Sequence, residues 1–159
     1  MLKIKDIMTT NVFAVPETQT LDLARNLMKL EEIRHVPVVN EKNEFVGLVT
    51  HTDLLTKMIA FLTDYCEKSP EELDTSIPIN SIMTTDVVTV SPDMRVVEAL
   101  PILLDHKFGC LPVVADKLLV GIVTNADFLK LTQEILKSEG VDFSRKGENI
   151  SAECTPELP

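Results

Sequence analysis

The sequence predicts an α+β chain built from two copies of one small unit. Each copy is ordered strand, helix, strand, strand, helix, and the two pack by their sheets across a pseudo-two-fold axis. Three observations carry this prediction. Residues 7 to 55 and 82 to 129 follow one pattern. Each copy closes on the frame Gly-x-x-Thr-x-x-Asp, carried by Gly47, Thr50 and Asp53 and again by Gly121, Thr124 and Asp127. One such unit is too small to bury both faces of its own sheet, so two copies place their sheets inside and their helices outside.

The copies align at an offset of 75, with 10 identities over 33 positions, including Ile7-Met8-Thr9-Thr10 with Ile82-Met83-Thr84-Thr85 and Pro37-Val38-Val39 with Pro112-Val113-Val114. After a one-residue deletion in the next turn the offset becomes 74, and 6 of the following 10 positions are identical. The block holding the frame is therefore the more constrained.

Each element follows from local pattern. Val12-Phe13-Ala14-Val15 and Val87-Val88-Thr89-Val90 are β-rich runs, closed by Pro16 and by Ser91-Pro92, and predict short strands. Thr18 or Thr20 is suited to cap a helix with Leu21, Ala24, Leu27 and Met28 on its apolar face. The later helix follows Ser91 or Asp93 and carries Val96, Ala99, Leu100 and Leu103. Pro101 inside it removes a donor and predicts a kink. Val36 to Val39 and Phe45 to Val49, joined by the polar turn 40–44, predict a hairpin, as do Leu111 to Val114 and Leu119 to Val123 around Asp116-Lys117. Second helices follow from about Thr52 to Glu67 and from about Ala126 to Ser138. The first repeat then spans 1–66, a linker rich in Glu, Ser and Pro spans 67–80, the second repeat spans 81–137, and 138–159 form a mobile polar tail.

Composition narrows the function. With 45% hydrophobic residues, 159 residues suffice for a packed core. No apolar run approaches the roughly 20 residues that cross a bilayer, and the polar start Met-Leu-Lys-Ile-Lys-Asp is unlike a secretory signal. A soluble, cytoplasmic protein without a membrane partner is predicted. Cys66, Cys110 and Cys154 are odd in number and lack paired spacing, which argues for free thiols over disulfides or structural zinc. A formal charge of −10 repels nucleic-acid backbones. It also opposes phosphorylated ligands unless a pocket supplies cations or backbone N–H groups.

The frame lies where a strand gives way to a helix. Glycine there removes a side chain where a ligand approaches, threonine offers a cap and a hydroxyl, and the helix N-terminus favours an anion. Aspartate three residues on presents a bidentate acceptor suited to neighbouring ribose hydroxyls. The plainer alternative is that Thr and Asp only cap the helix; repetition in both copies favours binding.

These features together resemble a tandem pair of cystathionine-β-synthase (CBS) domains, often called a Bateman module. The resemblance covers about residues 2 to 137 and rests on Asp6-Ile7-Met8-Thr9, the Leu/Val-Pro-Val-Val segment and the repeated frame. It implies an adenosine-containing ligand, AMP, ADP, ATP or S-adenosylmethionine, in the cleft between repeats, and no required cofactor. It further implies that Asp53 and Asp127 hold ribose, that Thr50 and Thr124 contact phosphate or sugar, and that adenine lies against Val12, Val36 and Pro37 and against Val87, Leu111 and Pro112.

The copies differ in charge just before the shared proline, where Arg34 and His35 correspond to Gly109 and Cys110. Unequal sites follow, with Arg34, His35 and His51 serving the phosphate-competent one. Which frame they complete stays open, as does the alternative that they are solvated loop residues. No metal site and no catalytic nucleophile with a positioned base is apparent. The predicted function is a regulatory, non-catalytic module that binds an adenine nucleotide or S-adenosylmethionine and modulates a partner protein. Leu54, Leu55, Met58, Ile59 and Leu62 on the second helix suggest a homodimer. The rival is a ligand-independent dimeric scaffold.

Overall fold

The computed structural model describes residues 1–64 and 77–141. In chain order the elements are α1 (Ile4–Ile7), β1 (Val15–Pro16), α2 (Leu21–Leu30), β2 (His35–Val39), β3 (Phe45–Thr50) and α3 (His51–Asp64). A single 3₁₀ turn (Ile79–Ser81) follows, then α4 (Val96–His106), β4 (Cys110–Ala115), β5 (Leu118–Thr124) and α5 (Asn125–Ser138). The far end of the predicted second helix, most of the predicted linker, most of the predicted tail, Cys66 and Cys154 lie outside the described residues.

Both predicted hairpins form. β2 pairs antiparallel with β3, and β4 with β5, and each has a register shift at the equivalent place, Val38/Val39 and Val113/Val114. The first turn is held by Asn40, whose Oδ1 accepts from the N–H groups of Lys42 and Glu44, both at 2.9 Å. The second is a two-residue turn with positive φ at Asp116 and Lys117, the twist that suits a tight hairpin.

The predicted first strands are shorter than expected. Only Val15–Pro16 pair, parallel to Val38 and Val39, and in the second copy Val90 makes one isolated bridge to Val113. Val12 is drawn instead into a small apolar cluster between the sheets with Leu48, Cys110 and Ile122, beside Phe45 and Val87. That cluster is the seam expected of sheets packed inside.

The helices bury Leu21, Ala24 and Met28 in the first repeat and Val96, Ala99 and Leu103 in the second. Leu100 departs from its predicted core role and stays 39% exposed. α4 continues through Pro101 to His106. The N-caps are Thr20, whose hydroxyl bonds to Asp22 and not to the helix backbone, and Arg95, whose N–H donates to Glu98 at 3.2 Å.

The two repeats exchange their leading segments. Ile4 is fully buried in the core of the second repeat, with Ile7 and Met8 packed against it. Ile77, Ile79 and Ile82 belong to the core of the first, with Met83 beside them. Each segment then makes an antiparallel bridge to the facing hairpin, Thr9 to Ile122 and Thr84 to Leu48, as a pseudo-two-fold axis requires. Lys3 and Lys5 anchor the first segment on the Asp93 carboxylate at 2.9 Å each, holding its pKa down at about 2.

Candidate functional site

The exchange explains the glycines of the frame. A Cβ on Gly47 would stand 2.8 Å from Met83 Sδ and 2.9 Å from the Thr84 carbonyl oxygen. One on Gly121 would stand 2.5 Å from Met8 Sδ and 3.2 Å from the Thr9 carbonyl oxygen. The sequence suggested that glycine makes room for a ligand; the room is taken by the exchanged segments. The Gly position thus fixes how the repeats interlock.

Thr and Asp close a reciprocal cap in both copies. Asp53 Oδ2 accepts from the Thr50 N–H at 2.8 Å and from its hydroxyl at 2.7 Å, and Asp127 Oδ2 accepts from Thr124 at 2.8 and 2.9 Å. One carboxylate oxygen is therefore committed to the helix start. The bidentate acceptor expected from sequence is reduced to Oδ1, which in Asp127 has Lys130 Nζ at 3.7 Å. Asp127 is the one buried charged residue among those described, 8% exposed, and Asp53 is half-buried.

A cleft of about 1140 Å³ opens at the seam. The second repeat lines it with Thr124, Asn125, Ala126, Asp127 and Lys130 at the N-terminus of α5. The first contributes Arg34 and His35 at the start of β2, Thr50, His51 and Thr52 at the start of α3, and Lys29. Thr9, Asn11, Val12 and Phe13, on the exchanged segment and the stretch after it, complete a wall. Arg34, His35 and His51 share this cleft with Thr124 and Asp127 of the other repeat and with Thr50 of their own. Asp53 does not line this cleft.

The apolar set divides. Val12 lines the cleft. Val36 and Leu111 are fully buried in the two cores, Pro37 and Pro112 are buried beside them, and Val87 packs at the seam. Adjacent strand residues point to opposite faces, so burial of Val36 with Pro37 and of Leu111 with Pro112 means that both faces of β2 and β4 are covered. Cleft residues that sequence reasoning missed include Lys29, Lys130, Thr9, Asn11, Phe13 and the acidic Glu32. Lys130 sits one turn after Asp127, a spacing that marks a shared helix face; the others carry no local signal.

His35 stands over Gly109, where an added Cβ would come 2.4 Å from Nε2. Burial lowers its pKa below the ordinary value, the Arg34 charge lowers it further, and Asp53 pulls the other way. Cys110, the counterpart of His35, is buried at the seam, and burial alone pushes its thiol up to about 12. Among the described residues, no group of three or more His, Cys, Asp or Glu is placed to hold a metal ion, and no helix is long and apolar enough to cross a membrane.

The basic side chains of the cleft have no basic counterparts across the pseudo-two-fold axis. Lys29, Arg34, His35, His51 and Lys130 correspond to Leu104, Gly109, Cys110, Asn125 and Thr56. Two exchanges change charge at the acidic positions: Glu32 corresponds to Lys107, and Asn11 to Asp86.

Comparison with known proteins agrees with this architecture. The family model for the CBS domain matches twice, over residues 4–60 and 79–134. The chain belongs to the CBS-domain family. Its CBS pair is similar to an acetoin utilization protein (AcuB) from Vibrio cholerae, 34% identical with a TM-score of 0.74, over 89% of this chain and 98% of that one. It is also similar to CBSX2, solved in complex with AMP, at 26% identity and a TM-score of 0.72, over 86% and 99% of the two chains. The CBS domain pair of MJ0100, solved with 5′-methylthioadenosine and S-adenosyl-L-methionine, is 26% identical with a TM-score of 0.65, over 85% and 98%. The chain spans 42%, 35% and 24% of the lengths of the first curated relatives it matches.

Proposed function

We propose that this CBS pair is a regulatory module that binds an adenosine-containing ligand in the seam cleft and thereby alters its affinity for a partner protein. The observation that carries the reading is the meeting, in one cleft, of basic side chains from the first repeat with the Thr124–Asp127 helix start of the second. In this arrangement Asp127 Oδ1 accepts from a ribose hydroxyl. Arg34, Lys29 and Lys130 offset the charge of phosphates against the field of an acidic protein, and His35 and His51 add ring N–H donors. Val12 and Phe13 give the base an apolar wall. CBSX2 with AMP and MJ0100 with adenosine derivatives support the ligand class.

Asp53, outside this cleft, serves a symmetry-related site of lower positive charge, suited to a less anionic adenosine compound. Neither site offers a nucleophile with a positioned base, so we assign the module no catalytic step and no required cofactor. We place it in the cytoplasm as a homodimer in contact with a regulated protein. Coupling requires that ligand favour one packing of the repeats over another.

A ligand-independent scaffold is favoured by one specific observation: the Thr–Asp caps already explain both frames. A thermal-shift panel of AMP, ADP, ATP and S-adenosylmethionine separates the readings. Saturating ligand raises Tm if the folded state binds it; a flat response across the panel leaves the scaffold.

A further inference from the structure

We infer that Glu32 sets which adenosine ligand the seam cleft accepts: it tolerates a single phosphate and opposes a chain of them, so that AMP is bound in preference to ATP. This inference rests on the adenosine-binding reading and adds the selectivity of that site. Glu32 lines the cleft and falls in sequence between Lys29 and Arg34, the lysine and the arginine that the first repeat contributes to it. All three side chains are exposed, and among the described residues none of them is held in an ion pair. Their charges therefore act directly on an anion that enters.

The second repeat's charges in the cleft largely offset each other, since Lys130 Nζ lies 3.7 Å from Asp127 Oδ1. Two cations and one carboxylate are left to face the phosphate end of a ligand. One terminal phosphate carries roughly −1.5 to −2 at pH 7, and each phosphate inserted before it adds roughly one further negative charge. Lys29 and Arg34 match the single phosphate. The surplus charge of a triphosphate meets Glu32 instead, in a chain whose formal charge of −10 gives it no help. The ring N–H groups of His35 and His51 serve either ligand.

The internal duplication supplies the control. Glu32 and Lys107 are equivalent positions, each just beyond the end of its helix, and both adopt the left-handed backbone, with φ of 53° and 55°. The same backbone in the same fold thus carries a glutamate in one repeat and a lysine in the other. Folding alone does not demand the carboxylate. The first repeat places it where the cations of the cleft gather, and a repulsive element of that kind is how a site rejects the more highly charged of two related ligands.

The test is calorimetric titration of 5′-methylthioadenosine, AMP, ADP and ATP, in EDTA to exclude divalent cations, into the full chain as wild type, Glu32→Lys, Glu32→Gln and Glu41→Lys. Wild type binds AMP more tightly than ATP. Coulomb energy scales with ligand charge, so Glu32→Lys tightens ATP by about tenfold, AMP by about threefold and uncharged 5′-methylthioadenosine not at all. Glu32→Gln, with half the change in charge, tightens ATP by about threefold. Glu41→Lys makes the full change on the exposed turn after β2, at the far end of that strand from the cleft, and leaves the AMP-to-ATP affinity ratio within about twofold of wild type. A wild type that prefers ATP, an unchanged AMP-to-ATP ratio in Glu32→Lys, or an equal change in Glu41→Lys overturns the role of Glu32 while adenosine binding stands. Wild type that gives no heat with any of these ligands overturns both. If circular dichroism shows Glu32→Lys unfolded, the AMP-to-ATP ratio in Glu32→Gln decides alone.

Discussion

Substituting alanine at Gly47 and at Gly121 probes the interlock of the repeats, and the two sites respond unequally. At Gly47 the new methyl meets the Thr84 carbonyl oxygen at 2.9 Å as well as Met83 Sδ at 2.8 Å. Backbone held in the Thr84–Leu48 bridge, whose two hydrogen bonds are both 2.9 Å, cannot rotate aside. Overpacking of this kind costs about 1–3 kcal/mol, and loss of glycine freedom in the unfolded chain returns about 0.4–1 kcal/mol. Because the obstacle is a fixed backbone oxygen, the upper part of the overpacking range, about 2–3 kcal/mol, applies, and the net destabilisation for Gly47→Ala is about 1–2 kcal/mol. With a urea slope of about 2 kcal/mol/M for a chain this size, the midpoint falls by roughly 0.5–1 M. At Gly121 the closest atom, at 2.5 Å, is the flexible end of Met8, and the Thr9 carbonyl oxygen lies at 3.2 Å. Gly121→Ala is therefore milder, and shortening Met8 relieves it: in a Met8→Ala background its cost drops by about 1 kcal/mol, a coupling typical of touching residues. The equivalent Met83→Ala does not relieve Gly47→Ala. Urea titration of the two double-mutant cycles reads all of this. A neutral Gly47→Ala, or equal relief in both cycles, refutes the interlock as described.

Further outcomes follow from the site. Thr124→Val removes the hydroxyl bonded to Asp127 and destabilises by about 0.5–2 kcal/mol, read by thermal melting. His35 has a folded pKa below the unfolded value of 6.5, so the unfolded chain takes up the proton first as pH falls. Its contribution is present above pH 6.5 and lost as pH drops toward the folded pKa; His35→Gln flattens that slope in urea titrations on either side of pH 6.5. Gly109→Ala crowds His35 Nε2 and displaces the ring, and an NMR titration then shows the imidazole pKa returning toward 6.5. With Cys66 and Cys154 changed to serine, Cys110 resists a thiol reagent in the native state and reacts on unfolding, because burial holds its pKa near 12.

Much of this architecture was legible in the sequence because the relevant signals are local and repeated. The frame placed a helix start after β3 and β5, and the Val-rich runs around Asn40–Glu44 and Asp116-Lys117 marked the hairpins. What escaped was nonlocal. The segments carrying Ile4 and Ile79 look like the start of their own repeats, and only the tertiary structure shows each filling the other's core. The role of Gly47 and Gly121 was misread for the same reason, since Met83 and Met8 reach them across the seam. Val36, Pro37, Leu111 and Pro112 were suited equally to base contact and to core, and packing decided for core. Leu100 fitted an apolar helix stripe, yet α4 carries apolar residues on two sides, and periodicity alone does not say which side faces in.

Calorimetric titration of AMP, ADP, ATP and S-adenosylmethionine into wild type and Arg34→Ala addresses the proposed function most directly. Wild type gives saturable heat with at least one phosphorylated ligand, and loss of a charge-assisted contact weakens that binding by about tenfold or more. No heat from any of the four with wild type, or identical nucleotide affinity in Arg34→Ala, contradicts a phosphate-binding cleft shared between the repeats.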